Sequence, residues 1–264
     1  MSLDFSPAPV VLQTVAKDLS WYASASWRIA QRSYLRTRRD LRSAHLELTG
    51  PGEFNKVWHH VSSVGGFSTD RAESALLYAL AKSGPGNGVI VEVGSFLGRA
   101  TCFLAAGSQV TNRENVIAVD PFLGGTGDPG SQNEEGSIST VPFFRHNVNR
   151  LGFGDRVIAE QGTATEAGKN WSHGPIRLLF IDGLHTYEGV HADLTAFMPY
   201  LAEDAVVVFD DYFPPEFPGV RRAVDEFLED NVIRGPLRRV NRFVVSGLDR
   251  GIAAFMRQAA LEER

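Results

Sequence analysis

Val91-Glu92-Val93-Gly94-Ser95-Phe96-Leu97-Gly98, residues 91–98, closes a short β-branched run that begins at Val89, and a helix rich in small residues follows at once. Strand, glycine turn and helix in that order open a βαβ unit, where glycine lets the backbone approach a ligand at the carboxyl end of the strand. The alternation continues downstream: residues 116–119, 156–160, 178–181 and 206–209 read as further strands, with helical segments between most of them. Short strands buried on both faces and joined by helices make a parallel sheet. Residues 239–246 and 251–257 supply two last strands, paired as a terminal hairpin. The chain is thus expected to be α/β, Rossmann-like and doubly wound, with a mostly parallel seven-stranded sheet and helices on both faces.

Upstream of this core the pattern is helical. Residues 9–48 carry apolar side chains at helical spacing, among them Val11, Val15, Leu19, Tyr22, Trp27, Ala30, Tyr34 and Leu41, up to the break Thr49-Gly50-Pro51-Gly52. A shorter helix over 53–64 carries Trp58 and the pair His59-His60. Adjacent helical residues point about 100° apart, so the two histidines are poorly placed to share a metal. These segments predict an N-terminal helical extension, residues 1–64, ahead of a main domain, residues 65–264. At the start of that domain Asp70-Arg71-Ala72-Glu73 forms a capping box for a helix through Leu80, ended by Gly84-Pro85-Gly86-Asn87-Gly88.

Composition bounds the partners. Across 264 residues, 43% are hydrophobic and 22% charged, as in ordinary globular chains. A net charge of -5 argues against binding a phosphate backbone. The basic run Arg28, Arg32, Arg36, Arg38, Arg39 and Arg42 is interrupted by Asp40 and reads as a solvated helix face; an anionic partner or a homo-oligomer contact through these helices are the other uses for it. The single cysteine, Cys102, excludes a disulfide framework and fits a reducing, cytoplasmic setting as buried helix filler. No secretory leader opens the chain, and no apolar stretch reaches the roughly 20 residues of a membrane helix. The expected partner is a small molecule or oligosaccharide, with neither nucleic acid nor membrane.

The second strand ends at Asp120, where a carboxylate can accept hydrogen bonds from both hydroxyls of a ribose. NAD enzymes place an acid there too, but their fingerprint is G-x-G-x-x-G. Here the spacing is G-x-x-x-G, and Ser95 stands where the second glycine would meet a pyrophosphate. Joined to Glu92 two residues before the first glycine, and to Gln161-Gly162-Thr163-Ala164 after the third strand, this set resembles the signature of class I methyltransferases that use S-adenosylmethionine (SAM). The resemblance implies that SAM is held by Glu92, Gly94, Ser95, Gly98, Asp120, Thr163, Ala164 and Asp182.

A second constellation lies at the ends of the fourth and fifth strands, in Phe180-Ile181-Asp182-Gly183-Leu184-His185-Thr186-Tyr187-Glu188 and Val208-Phe209-Asp210-Asp211-Tyr212. Adjacent strands run about 4.8 Å apart, so Asp182, Asp210 and Asp211 converge. Carboxylates so crowded repel unless a cation joins them, and hard oxygen donors suit magnesium or another divalent ion. Over roughly 66–227 the chain resembles metal-dependent sugar O-methyltransferases of the macrocin type, which carry a strand-four D-G-x-H or D-G-D signature, a Tyr-Glu and a strand-five acid pair. The resemblance implies Asp182, Asp210 and Asp211 as metal ligands and Asp182 with His185 as catalytic residues. His185 enters as the base because Leu184 stands where some members have a second aspartate. The polar loop 123–140 reads as a substrate lid, and Arg145, His146 and Tyr187 as possible substrate contacts. The function implied is SAM- and divalent-metal-dependent methylation of a hydroxyl on a sugar or glycoside. A catechol-type O-methyltransferase and a noncatalytic SAM-binding scaffold are the alternatives.

Overall fold

The structure is a computed structural model and describes residues 53–65, 69–124, 139–229 and 238–246. The helical reading of 9–48, the basic run within it, most of the 123–140 loop and the strand read at 251–257 lie outside the described residues. Seven strands form one sheet in the order β3-β2-β1-β4-β5-β7-β6. These are β1 (Val89–Val93), β2 (Val116–Asp120), β3 (Val157–Gln161), β4 (Ile176–Ile181), β5 (Leu201–Phe209), β6 (Arg238–Val240) and β7 (Phe243–Ser246). The first five are parallel to one another; β7 runs antiparallel to both β5 and β6. The run expected as one strand over 239–246 is instead two, folding back on itself at Asn241-Arg242, while the hairpin expected between it and 251–257 falls on residues outside those described. Asn241 takes the left-handed backbone (φ +50°) that a short amide side chain tolerates.

Strand residues alternate between two buried layers. Ile90, Val116, Ala118, Leu178, Phe180, Val206 and Val208 face one layer with α1 (Glu53–Val61), α2 (Arg71–Ser83), α3 (Arg99–Val110) and α4 (Val141–Arg150). Val91, Ile117, Leu179, Ile181, Val207 and Phe209 face the other, with α5 (Ala164–Lys169), α6 (Tyr187–Phe197) and α7 (Pro218–Glu229). Cys102 is fully buried in the first layer, where burial pushes its thiol far up and leaves it inert. Among the described residues no helix is long and apolar enough to cross a membrane.

The capping box forms as its sequence spells it: Glu73 N–H donates to Asp70 Oδ1 at 2.9 Å, and Asp70 N–H to Glu73 Oε2 at 2.8 Å. At the other end of α2, fully buried Arg177 donates to the carbonyls of Leu80 (2.9 Å) and Ala81 (2.6 Å) and pairs with Glu114. A charged residue inside a central strand is tolerated because it closes carbonyls that the helix end leaves open.

Helices α2 and α3 touch through Gly107, where a Cβ would collide with the Tyr78 carbonyl and lie 2.9 Å from Ala81 Cβ. Replacing a helical glycine by alanine ordinarily gains up to about 1 kcal/mol. Here overpacking, typically about 1–3 kcal/mol, opposes and exceeds that gain. Gly107→Ala is therefore expected to lower the urea midpoint; an unchanged or raised midpoint would show that the helices separate freely.

Candidate active site

Strand register delivers the functional groups to one edge. Val93 pairs with Ile181, and Ile181 with Phe209, so Asp182 and Asp210 leave adjacent strands at the same level. Their amides continue the ladder, Asp182 N–H to the Val93 carbonyl (2.9 Å) and Asp210 N–H to the Ile181 carbonyl (3.0 Å). This places Asp182 immediately beside the glycine turn of β1, with Asp210 one strand further along the same edge.

In that turn, Gly94 has φ +89°, and a Cβ on it would strike the Asp182 carbonyl and sit 2.9 Å from the Gly183 Cα. Gly94 is required by this contact between two loops. Gly98, at φ +86°, caps α3, where a Cβ would meet the Phe144 ring at 2.9 Å. Glu92 is completely buried, and its Oε2 accepts from Ser95 Oγ (2.8 Å) and Thr101 Oγ1. Its Oε1 is buried with no hydrogen-bond partner among the described residues. Burial pushes the Glu92 carboxyl up to about 7, against the two hydroxyls that oppose the rise. Sequence reasoning found Glu92 and Ser95 but not Thr101, which sits nine residues beyond Glu92 with nothing to mark it.

Asp120 Oδ2 accepts the Phe96 N–H at 2.8 Å, and Oδ1 accepts the Phe122 N–H. It thereby holds both flanking loops, and burial pushes its carboxyl up. The Gly162 N–H donates to the Asp120 carbonyl at 3.0 Å, bringing Thr163 and Ala164 alongside. Thr163 caps α5 in a capping box with Glu166, and Ala164 is buried.

On the other side of the edge, Asp182, His185 and Asp210 offer ligand atoms that all lie within 4.8 Å of one another. His185 Nε2 is 3.4 Å from Asp182 Oδ1 and its Nδ1 is 3.8 Å from Asp211 Oδ2. The ring packs on Phe217 at 4.8 Å between centroids. Asp211, with φ +49°, donates its N–H to Asp210 Oδ1 at 2.7 Å, and its Oδ1 lies 3.3 Å from Arg242 Nη1. Burial pushes the Asp182 and Asp210 carboxyls up, and the neighbouring Asp182 charge pushes Asp210 up further. A buried carboxyl, a half-buried one and an imidazole in so small a volume make a donor set that fits a divalent cation.

The expected substrate contacts are spread out. Arg145 and His146 are exposed on α4. Tyr187 points its hydroxyl at Glu226 Oε2 on α7 (2.6 Å), with Arg222 over its ring at 4.2 Å. Arg242 and Glu73 were not expected at the site; Glu73 reads in sequence only as a helix cap, and 169 residues separate the two.

A sheet of this order, with a glycine turn after β1, an acid at the tip of β2 and acids after β4 and β5, defines the class I methyltransferase fold. In line with that class, residues 91–212 match the family model described as a methyltransferase domain. The match and the sheet order together make residues 91–212 similar to a methyltransferase domain built on the class I fold. Among curated proteins, an uncharacterised protein of Acanthamoeba polyphaga mimivirus is 27% identical over 146 residues, 53% of this chain; the chain spans 59% of that relative. Among solved structures, the O-methyltransferase NovP is 19% identical with a TM-score of 0.58, over 83% of this chain and 100% of that one. A methyltransferase of Podospora anserina, solved with S-adenosylhomocysteine, is 19% identical with a TM-score of 0.57, over 79% of this chain and 94% of that one.

The Glu92 environment has a measurable sign. The native carboxyl sits above its ordinary value, so Glu92 costs nothing below about pH 4.5 and destabilises the ligand-free protein increasingly as pH rises to about 7. That span corresponds to roughly 3 kcal/mol. Glu92→Gln is expected to gain up to that amount on the wild type between pH 4.5 and pH 8 in urea unfolding; a difference independent of pH would show that Glu92 is not charged against its surroundings.

Proposed function

We propose that the protein transfers the methyl group of SAM to a hydroxyl oxygen of a sugar or glycoside, with a divalent cation such as Mg2+ held by Asp182, Asp210 and Asp211. The observation that supports this reading is the convergence of Asp182 and Asp210 with His185 within 4.8 Å, Asp182 lying against the glycine turn; Asp211 is outside that group and borders it through its Oδ2, 3.8 Å from His185 Nδ1. The sugar acceptor rests on the macrocin-type signature in 182–188 and 210–211. A specific observation favours a catechol as the second reading: Leu184 is exposed and Phe217 packs on His185, which gives a flat ring an apolar seat.

Glu92 offers an unpartnered buried oxygen to the cationic methionine part of the cofactor, with Gly94, Ser95 and Gly98 around it. Asp120 keeps a lone pair on each oxygen for the ribose hydroxyls, and Thr163 and Ala164 border the same end. A bound divalent cation supplies a Lewis acid that lowers the pKa of an adjacent acceptor hydroxyl. His185, oriented by Asp182, takes the hydroxyl proton. The acceptor oxygen then forms its bond to the methyl carbon as the carbon–sulfur bond breaks and its electron pair passes to sulfur. Holding the two reactants in line supplies much of the rate.

The test is a methyl-transfer assay against sugars, glycosides and catechols, with and without Mg2+, and Asp210→Ala as control. Turnover on a glycoside that needs Mg2+ and vanishes in Asp210→Ala is expected. Full turnover with a chelator present would remove the cation from the reading, and turnover on catechols alone would replace the acceptor. Separately, His185→Gln is expected to lower kcat by about 10²–10⁴ while calorimetric SAM affinity stays unchanged; an intact kcat would take the proton away from His185.

A further inference from the structure

Arg242, in the turn between β6 and β7, reaches the acids of the site from the antiparallel edge of the sheet. Its Nη1 is 3.3 Å from Asp211 Oδ1 and its Nη2 is 3.9 Å from Asp210 Oδ2. From behind, fully buried Glu73 accepts the Arg242 backbone N–H at 2.9 Å, Nε at 3.4 Å and Nη2 at 3.3 Å. The adjoining Asn241 donates to Asp70 Oδ2, so both turn residues are tied to the two acids of the α2 capping box. A guanidinium held by its own backbone and by two of its nitrogens cannot swing away freely. Partial burial works against its charge, but Asp210 and Glu73 outweigh that and keep it protonated.

We propose that Arg242 is a positioning residue of the acid cluster, a tethered counter-ion that engages Asp211 and Asp210 and thereby weakens the cluster's hold on a divalent cation. This rests on the cation site proposed above. A fixed positive charge beside Asp210 and Asp211 repels an incoming divalent ion and competes for the same carboxylate oxygens. The cluster is thereby made to bind its cation reversibly. The strand-five acids also stay ordered before the ion arrives, because Asp211 is held in a left-handed conformation against Arg242.

The experiment is a Mn2+ titration of the full chain, with free ion read by electron paramagnetic resonance. Arg242→Met removes the charge and keeps the backbone N–H that Glu73 accepts; Arg242→Gln, whose amide still donates, is the second neutral variant in case the first does not fold. Arg242→Lys keeps the charge. The neutral variants are expected to bind Mn2+ about tenfold or more tighter than wild type, and the lysine variant close to wild type. If wild type binds Mn2+ and the neutral variants bind no tighter, the role of Arg242 is overturned and the cation site stands. If none of them takes up Mn2+, the cation site and the role of Arg242 fall together.

Discussion

The site depends on one constraint, the in-register parallel pairing of β1, β4 and β5. Val93, Ile181 and Phe209 are cross-strand neighbours, and the backbone ladder continues one residue past them into Asp182 and Asp210. Side chains alternate along each strand, so slipping β4 by one residue would turn Phe180 from one packed layer to the other and Ile181 the opposite way. Both layers are dense with aromatic and branched side chains, so the core enforces the register that places the acids. Packing on both faces of the sheet and chemistry at its edge are set by the same pairing.

What that register assembles is an excess of buried negative charge. Glu92, Asp120, Asp182 and Asp210 are all pushed above the usual carboxylate range, in each case chiefly by burial. A protein would gain by replacing such groups with apolar ones unless a ligand compensates them. The compensation divides in space. Hydroxyls and backbone N–H groups serve Glu92 and Asp120, as suits groups that receive a polar, cationic cofactor, whereas His185 and Arg242 serve the acids of β4 and β5.

Legibility in the sequence followed locality. β1 and β2 are short apolar runs with a glycine turn or an acid at the tip, and their limits agree with the structure within a residue. β4 begins two residues earlier than its apolar run because Arg177 breaks the pattern, and only its distant partners Glu114, Leu80 and Ala81 make a buried arginine acceptable there. β5 begins earlier still, since exposed Glu203 and Asp204 hide its first turn of pairing. The 241–242 turn carries no glycine or proline and so read as strand. Among site residues, acids at strand tips were visible from topology, because every parallel strand delivers its carboxyl end to the same edge. Thr101, Glu73 and Arg242 were not, because each acts through a contact that no spacing rule connects.

The contact at Gly94 bears on how the two halves of the site work together. The cofactor turn of β1 and the acid loop of β4 approach so closely that a single methyl group on residue 94 would strike the Asp182 backbone. Asp182 follows β4 directly; its side chain faces His185, the proposed proton acceptor, while its backbone lies against the glycine turn. In the proposed reaction a donor methyl at that turn and an acceptor hydroxyl at those acids would be held a short distance apart by main chain rather than by mobile side chains. Methyl transfer requires a collinear approach from a near-attack separation of about 3–3.5 Å, and rates fall steeply when that geometry loosens. The glycine that opens the fold in the sequence is therefore also the spacer that sets how closely the β1 turn and the β4 acid loop approach.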